Sequence, residues 1–177
     1  MKVWIHECQR VFFDRLISIE DQQVLNSVIK RIVKENQNFQ YFQIEKIFER
    51  EHPLQYAAFL DSSLMDIQNF GIYEEVKDPD HLHKILTDYI DMANQVSSKF
   101  KLNIVLFEDC MHHIVKLVRM ICFPQGHALL VGTGGSGRTS LAYLAAFITC
   151  MEMHIINQGG EDWRDQVKHV MQTVGVE

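Results

Sequence analysis

The chain has no cysteine pair at metal-ligand spacing. Cys8, Cys110, Cys122 and Cys150 stand far apart with no C-x-x-C, which argues against a zinc site or a disulfide framework and suits a reduced, intracellular protein. It has no basic tract either. Lys and Arg number 17 against 23 Asp and Glu, a net charge of −6, and that balance argues against a dedicated nucleic-acid binder. No apolar run approaches the roughly 20 residues needed to cross a bilayer. The opening residues Met1-Lys2-Val3-Trp4-Ile5-His6-Glu7 lack the apolar core of a signal peptide. Internal repeats and low-complexity segments are also absent. The expectation is therefore a soluble protein with neither nucleic acid nor membrane as partner. At 47% hydrophobic content disorder is not expected, and 177 residues suffice for one domain or the ends of two.

The most informative stretch is Gly132-Thr133-Gly134-Gly135-Ser136-Gly137-Arg138-Thr139-Ser140. The apolar run Ala128-Leu129-Leu130-Val131 leads into it, and Leu141-Ala142-Tyr143-Leu144-Ala145-Ala146-Phe147-Ile148 leads out. The order reads as buried strand, glycine loop, helix. Its spacing is one residue away from the phosphate-binding pattern G-x-x-x-x-G-K-[ST]. Glycines let the backbone turn with its N–H groups pointing inward, and the helix adds the positive end of its dipole. Arg138 replaces the expected Lys; its planar fork keeps the charge but not the shape. Thr139 takes the place of the hydroxyl that would ligate Mg²⁺, with Ser140 beside it. Gly132, Gly134 and Gly137 also fit the dinucleotide pattern G-x-G-x-x-G, which needs an acidic residue closing the next strand. Glu152 opens that run and Asn157 closes it, which favours the phosphate loop. A glycine loop that binds nothing is the remaining alternative.

The rest of the chain reads mainly as helix. Residues 3–19 have helical spacing, with Glu7 and Arg10, and Arg10 and Asp14, paired one turn apart. Asp21 is a candidate N-cap for a helix whose apolar face is Val24, Leu25, Val28, Ile29, Ile32 and Val33. Residues 35–52 are aromatic (Phe39, Tyr41, Phe42, Phe48) without clear period, and Pro53 interrupts them. Leu54 to Leu64 fits a short strand or buried turn, and Ile72 to Asp78 reads as loop between Gly71 and Pro79. Asp80 is expected to cap a helix bearing Leu82, Ile85, Leu86, Tyr89, Ile90, Ala93 and Val96. His81 and His83 are expected at the surface. After an extended start at Leu102 to Phe107, Val105, Leu106, Cys110, His113, Ile114, Leu117, Val118 and Ile121 make another apolar stripe. His112 and His113 are adjacent, face different sides of a helix and suit structural roles better than metal binding. Pro124-Gln125-Gly126 should stop that helix. Met151 to Asn157 reads as a second strand, Gly159-Gly160 as a turn, and Glu161 to Thr173 as a polar helix contacting the core through Trp163, Val167, Val170 and Met171, closed by Gly175.

Phosphate-loop hydrolases also need a strand ending in Asp or Asp-Glu to hold Mg²⁺ and orient water. Thirty-eight residues follow Thr139, and they read as helix, strand and helix with no such acidic end. Leu106-Phe107-Glu108-Asp109 looks like one but precedes the loop and runs into a helix. The fold class expected is thus α/β: a mostly helical N-terminal part, then an incomplete P-loop parallel α/β core with open edges. A small phosphoryl-transfer kinase would share the loop, but no acceptor site or lid is evident.

Trp4-Ile5-His6-Glu7-Cys8-Gln9-Arg10-Val11-Phe12-Phe13-Asp14-Arg15-Leu16 resembles the W-x-H-E-x-x-R-V-F-x-D-R-L stretch of dynein heavy chains. Leu106-Phe107-Glu108-Asp109 through His113-Ile114, then Pro124 to Gly132, Gly134 to Arg138 and Ser140-Leu141, look like the start of the fourth AAA+ module of the axonemal type. The resemblance covers nearly the whole chain. It implies that residues 1–70 end the helical lid of the third module, that 71–124 are linker and helices, and that 125–177 begin the P-loop core of the fourth. It also implies ATP or ADP with Mg²⁺ at Gly132 to Ser140, with Thr139 as metal ligand and no catalytic residue in this chain. The partners implied are the remainder of the heavy chain, its associated subunits and, through the parent motor, microtubules. The location implied is cytoplasm, cytoskeleton and ciliary axoneme. Arg138 in place of Lys fits the axonemal fourth module, where binding serves regulation more than turnover. A purely structural piece of the ring, with a vestigial loop, is the alternative. With its sheet edges open, the chain expressed alone should be poorly soluble or partly molten; a sharp, cooperative melt of a monomer would contradict this.

Overall fold

The computed structural model describes residues 1–39, 42–50, 54–60, 71–96, 101–156 and 162–175. Tyr41, Pro53, Asn157, Gly159, Gly160, Glu161 and the 61–64 part of the Leu54 to Leu64 run lie outside them. The elements are α1 (Lys2–Phe12), α2 (Ile19–Glu35), α3 (Glu45–Phe48), β1 (Tyr56–Ala57), β2 (Glu74–Glu75), α4 (Pro79–Val96), α5 (Glu108–Cys122), α6 (Arg138–Ile148) and α7 (Trp163–Val174), with 3-10 turns at Phe13–Arg15 and Gln37–Phe39. Among the described residues, no helix is long and apolar enough to cross a membrane. The chain divides into two compact units, one taking in Met1–Leu64 and Phe70–Ile85, the other Leu86–Glu177.

In the first unit, the helix expected over 3–19 stops early. Leu16 is extended, and Ser18 rather than Asp21 caps α2: its Oγ accepts the Asp21 N–H at 3.3 Å. Asp21 falls within the first turn, where its charge still complements the helix dipole. Of the apolar face expected on α2, Ile29 and Val33 are buried while Val24 and Ile32 are largely exposed. These two join Ile5, Ile44, Ile47, Leu54 and Tyr56 in one core, with Phe42 and Phe48 packed against it. Truncating a fully buried Ile such as Ile5 to Ala would cost about 2–5 kcal/mol.

This core contains polar groups that the sequence did not place there. His6 is buried; its Nδ1–H donates to the Leu54 carbonyl at 2.9 Å, and Nε2 pairs with the Tyr73 hydroxyl at 2.9 Å. Tyr73 stacks on Tyr56, ring centroids 5.3 Å apart. The segment expected as a loop contains β2, antiparallel to β1 with Tyr56 opposite Glu75. Glu75 accepts from Lys2 at 2.8 Å and Arg50 at 2.7 Å, tying α1 and the residues after α3 to this ribbon. The expected Glu7–Arg10 pair forms, at 2.7 Å.

In the second unit, α5 packs on α6. The buried face of α5 is Cys110, Met111, Ile114, Val115, Leu117 and Val118; His113, expected in that stripe, is exposed. Leu144, Ala145, Ala146 and Ile148 supply the face of α6. Thr149 is buried and closes α6 by donating from Oγ1 to the Ala145 and Ala146 carbonyls. The helix-stop at Pro124-Gln125-Gly126 is present: Gln125 has φ 58°, and a Cβ on Gly126 would lie 1.7 Å from the Met120 carbonyl oxygen. α4, whose residues up to Ile85 belong to the first unit, forms where a helix was expected and buries Leu82, Leu86, Tyr89, Ile90 and Ala93, whereas Val96 of the expected apolar face is exposed. Its cap is the side chain of Asp78, accepting the Asp80 N–H at 3.0 Å, not Asp80.

Neither expected parallel strand forms. Residues 128–131 and 151–156 carry no strand, and Leu129 and Val131 are 90% and 85% exposed where a buried strand was expected. An extended segment becomes a strand only beside another, because its N–H and C=O groups need partners; among the described residues the sole pairing is β1 with β2. No residue of α7 is buried, so Trp163 and Met171 do not serve as the core contacts expected.

Burial alone would raise the Glu75 carboxyl, but hydrogen bonds from Lys2 and Arg50 outweigh it and hold the group below its ordinary value of 4.5. A lowered folded-state value means stabilisation that is complete above the unfolded value and lost as pH falls through the folded one. Lys2 and Arg50 remain 41% and 34% exposed, so solvent screens the contribution. Glu75→Gln should cost about 1 kcal/mol at pH 7, with the gap to wild type narrowing as pH falls through the lowered Glu75 value. Urea unfolding followed by far-UV circular dichroism at pH 7 and through the acid range measures this; a gap independent of pH would refute it.

Candidate functional site

The glycine loop feeds α6 through two left-handed residues. Gly135 and Gly137 both have φ 77°, a region that costs any residue with a Cβ. Gly137 is the N-cap of α6 and no side chain caps the helix. The amides of its first turn therefore have no intrahelical partner; the first helical bond runs from Leu141 N–H to the Gly137 carbonyl at 2.9 Å. A Cβ at Gly134, Gly135 or Gly137 would meet nothing within 4 Å, so the hollow is open. At Gly132 it would come within 2.8 Å of Ser136 Oγ. The loop is closed by two contacts to the Thr133 carbonyl, from Ser136 N–H at 3.3 Å and from Arg138 Nη2 at 3.3 Å.

A cavity of about 550 Å³ adjoins this loop. Of the residues expected in the site, Gly132, Gly135, Ser136, Gly137, Arg138 and Ser140 line it; Thr133, Gly134 and Thr139 do not. Asn103, Ile104, Val105 and Phe107 also line it, with Asp109, Cys110 and His113 from the start of α5. The geometry fits a polyphosphate: unpaired amides, a positive helix end and one guanidinium around open space. Thr139 is exposed and could hold Mg²⁺ only together with oxygens of a bound phosphate. Among the described residues no group of three His, Cys, Asp or Glu could hold a metal alone.

Sequence reasoning set Asp109 and His113 aside, yet both reach this cavity. Their i, i+4 spacing on α5 was the available signal. His113 Nδ1–H donates to the Asp109 carbonyl at 2.6 Å. His112 is half-buried, and burial lowers its pKa against the raising effect of Glu108 and Asp109; it holds no metal partner set. His81 and His83 are exposed, as expected. Burial raises the Cys8 and Cys110 thiols and pushes Cys122 up to about 11, a shift that disfavours the nucleophilic thiolate. Glu152 lies in no strand and faces His154 at 3.7 Å on the surface, so the dinucleotide pattern lacks its acidic strand end. Asn94, unmentioned by any sequence pattern, binds both backbone groups of Leu102.

Residues 102–177 match the sequence profile of the family described as P-loop containing dynein motor region D4. Dynein axonemal heavy chain 3 of Homo sapiens is 34% identical over 190 residues, covering 99% of this chain and 4% of its own. The dynein alpha chain of the flagellar outer arm from Chlamydomonas reinhardtii is also 34% identical, over 99% of this chain and 4% of its own. The ciliary dynein beta chain of Tripneustes gratilla is 33% identical over 86% and 3%. The chain thus spans about 4% of the length of the first two of these relatives. The mostly helical first part and the loop-bearing second part, an incomplete AAA+ α/β core, both fall within these matches: the chain belongs to the axonemal dynein heavy-chain family.

Proposed function

We propose that this chain supplies the nucleotide-holding loop of the fourth AAA+ module in an ATP-dependent microtubule motor of cilia and flagella. The observation that carries the reading is the pair of left-handed glycines, Gly135 and Gly137, opening into an α6 that no side chain caps, where an added Cβ would meet nothing within 4 Å. The loop of Gly132, Thr133, Gly134, Gly135, Ser136, Gly137, Arg138, Thr139 and Ser140 holds the phosphates of ATP or ADP chiefly through the uncapped first-turn amides of α6, because the Ser136 N–H is already bonded to the Thr133 carbonyl. The Thr139 hydroxyl completes the coordination of a phosphate-bound Mg²⁺. Ile104 and Val105, which line the same cavity, give the base an apolar wall. Residues 1–70 belong to the lid of the preceding module, 71–124 to the linker and helices, and 125–177 to the core. Its partners are the rest of the heavy chain and the associated dynein subunits, and it reaches microtubules through the whole motor, in the cytoskeleton of the axoneme and cytoplasm.

Hydrolysis is not assigned to this chain. Among the described residues no Asp or Glu ends a strand beside the loop, and water would lack an orienting group there. A second reading, a structural piece with a vestigial loop, draws on the Arg138 guanidinium, which is turned onto the Thr133 carbonyl.

Titration of a fluorescent ATP analogue against the chain and its Gly137→Asp variant separates the two. The variant places a Cβ at φ 77° and a carboxylate in the hollow, so affinity should fall at least about tenfold; equal signals would defeat the nucleotide reading. Wild type at ligand one hundred times Kd should gain about 2.7 kcal/mol of stability. Thermal stability indifferent to millimolar Mg-ATP would support the vestigial loop.

A further inference from the structure

The 103–107 stretch of the cavity lining has little backbone pairing of its own. It carries neither helix nor strand, and among the described residues Asn103–Leu106 makes no backbone–backbone hydrogen bond. At one end it is held by α5, whose Met111 N–H bonds the Phe107 carbonyl at 3.0 Å; at the other it is held at Leu102, and there the hydrogen-bonding partner is a side chain. Asn94, in the last turn of α4, donates from Nδ2 to the Leu102 carbonyl at 3.0 Å and accepts the Leu102 N–H at Oδ1 at 2.7 Å. One amide thus does for Leu102 what a paired residue on a neighbouring strand does with two backbone groups. Leu102 is only 4% exposed, so leaving either polar group unmet would cost the full desolvation of that group. Asn is suited to this: it is short and carries a donor and an acceptor in one plane.

We infer that Asn94 is a positioning residue of the nucleotide site, setting the place of Ile104 and Val105 against the base. This rests on the nucleotide reading above. The phosphates contact the loop, which Asn94 does not touch, so its effect is confined to ligands that possess a base.

Displacement of the fluorescent ATP analogue by ATP and by inorganic tripolyphosphate tests the assignment, in wild type, Asn94→Leu and Asn94→Asp. The Leu variant removes both hydrogen bonds. The Asp variant is nearly isosteric, keeps the acceptor for Leu102 N–H and loses the donor, so it remains informative should the Leu variant fail to fold. Asn94→Leu should weaken ATP on the order of tenfold and leave tripolyphosphate within about twofold, with Asn94→Asp between wild type and Leu for ATP. Equal losses for both ligands would make Asn94 a general stabiliser and overturn the proposal. So would unchanged ATP affinity in both variants. Wild type binding tripolyphosphate as tightly as ATP would remove the base wall while sparing the loop. Wild type binding neither would fell the nucleotide reading itself.

Discussion

Backbone amides and carbonyls that leave water must be paired, and this requirement shapes the region around the loop. Residues 128–131 carry the apolar composition of a buried strand and have no strand beside them among the described residues. The side chains follow the backbone: Leu129 and Val131 face water, as do Val105 and Phe107 across the cavity. Each such side chain forfeits about 1.5–3 kcal/mol that burial would supply. The chain spans about 4% of its longer relatives, and a parallel sheet is assembled from segments distant in sequence and covered on both faces. The exposed faces here are those a sheet of that kind would use.

The loop itself escapes this dependence. Its shape comes from two glycines at positive φ and from α6, which packs on α5. Local conformation and one helix–helix contact therefore suffice to present the unpaired amides, whereas the wall needs a borrowed hydrogen-bonding partner in Asn94. On the proposed nucleotide reading, the phosphate half of the site is thus the more autonomous and the base half the more dependent.

What the sequence made legible follows the same division. The loop and α2, α4 and α5 declare themselves through glycine spacing and apolar periodicity, both local signals. Caps were misplaced by two or three residues, because Ser18 and Asp21, and likewise Asp78 and Asp80, are both suitable by type and only the backbone angle decides. The burial of His6 was illegible: its partners Leu54 and Tyr73 lie 48 and 67 residues away. Glu75, read within a loop, gains its meaning from Lys2, 73 residues distant. Residues 128–131 show the opposite failure, in which composition announces a strand but the partner that would make it one is missing among the described residues.

Arg138 bears on how the loop is held. A Lys at this position is a point charge whose three donors are best used on phosphate oxygens. The longer guanidinium has five N–H donors in a plane, and one nitrogen already meets the Thr133 carbonyl at 3.3 Å. That bond stretches across the loop and supports the turn that Ser136 N–H makes to the same oxygen. The remaining donors of the fork stay available to an incoming anion, so Arg can brace the loop and still contribute charge to the hollow. A brace present before binding lowers the ordering cost of the bound loop. It also spreads the guanidinium between carbonyl and phosphate, an arrangement better suited to holding a nucleotide than to concentrating charge on a phosphoryl group in transfer.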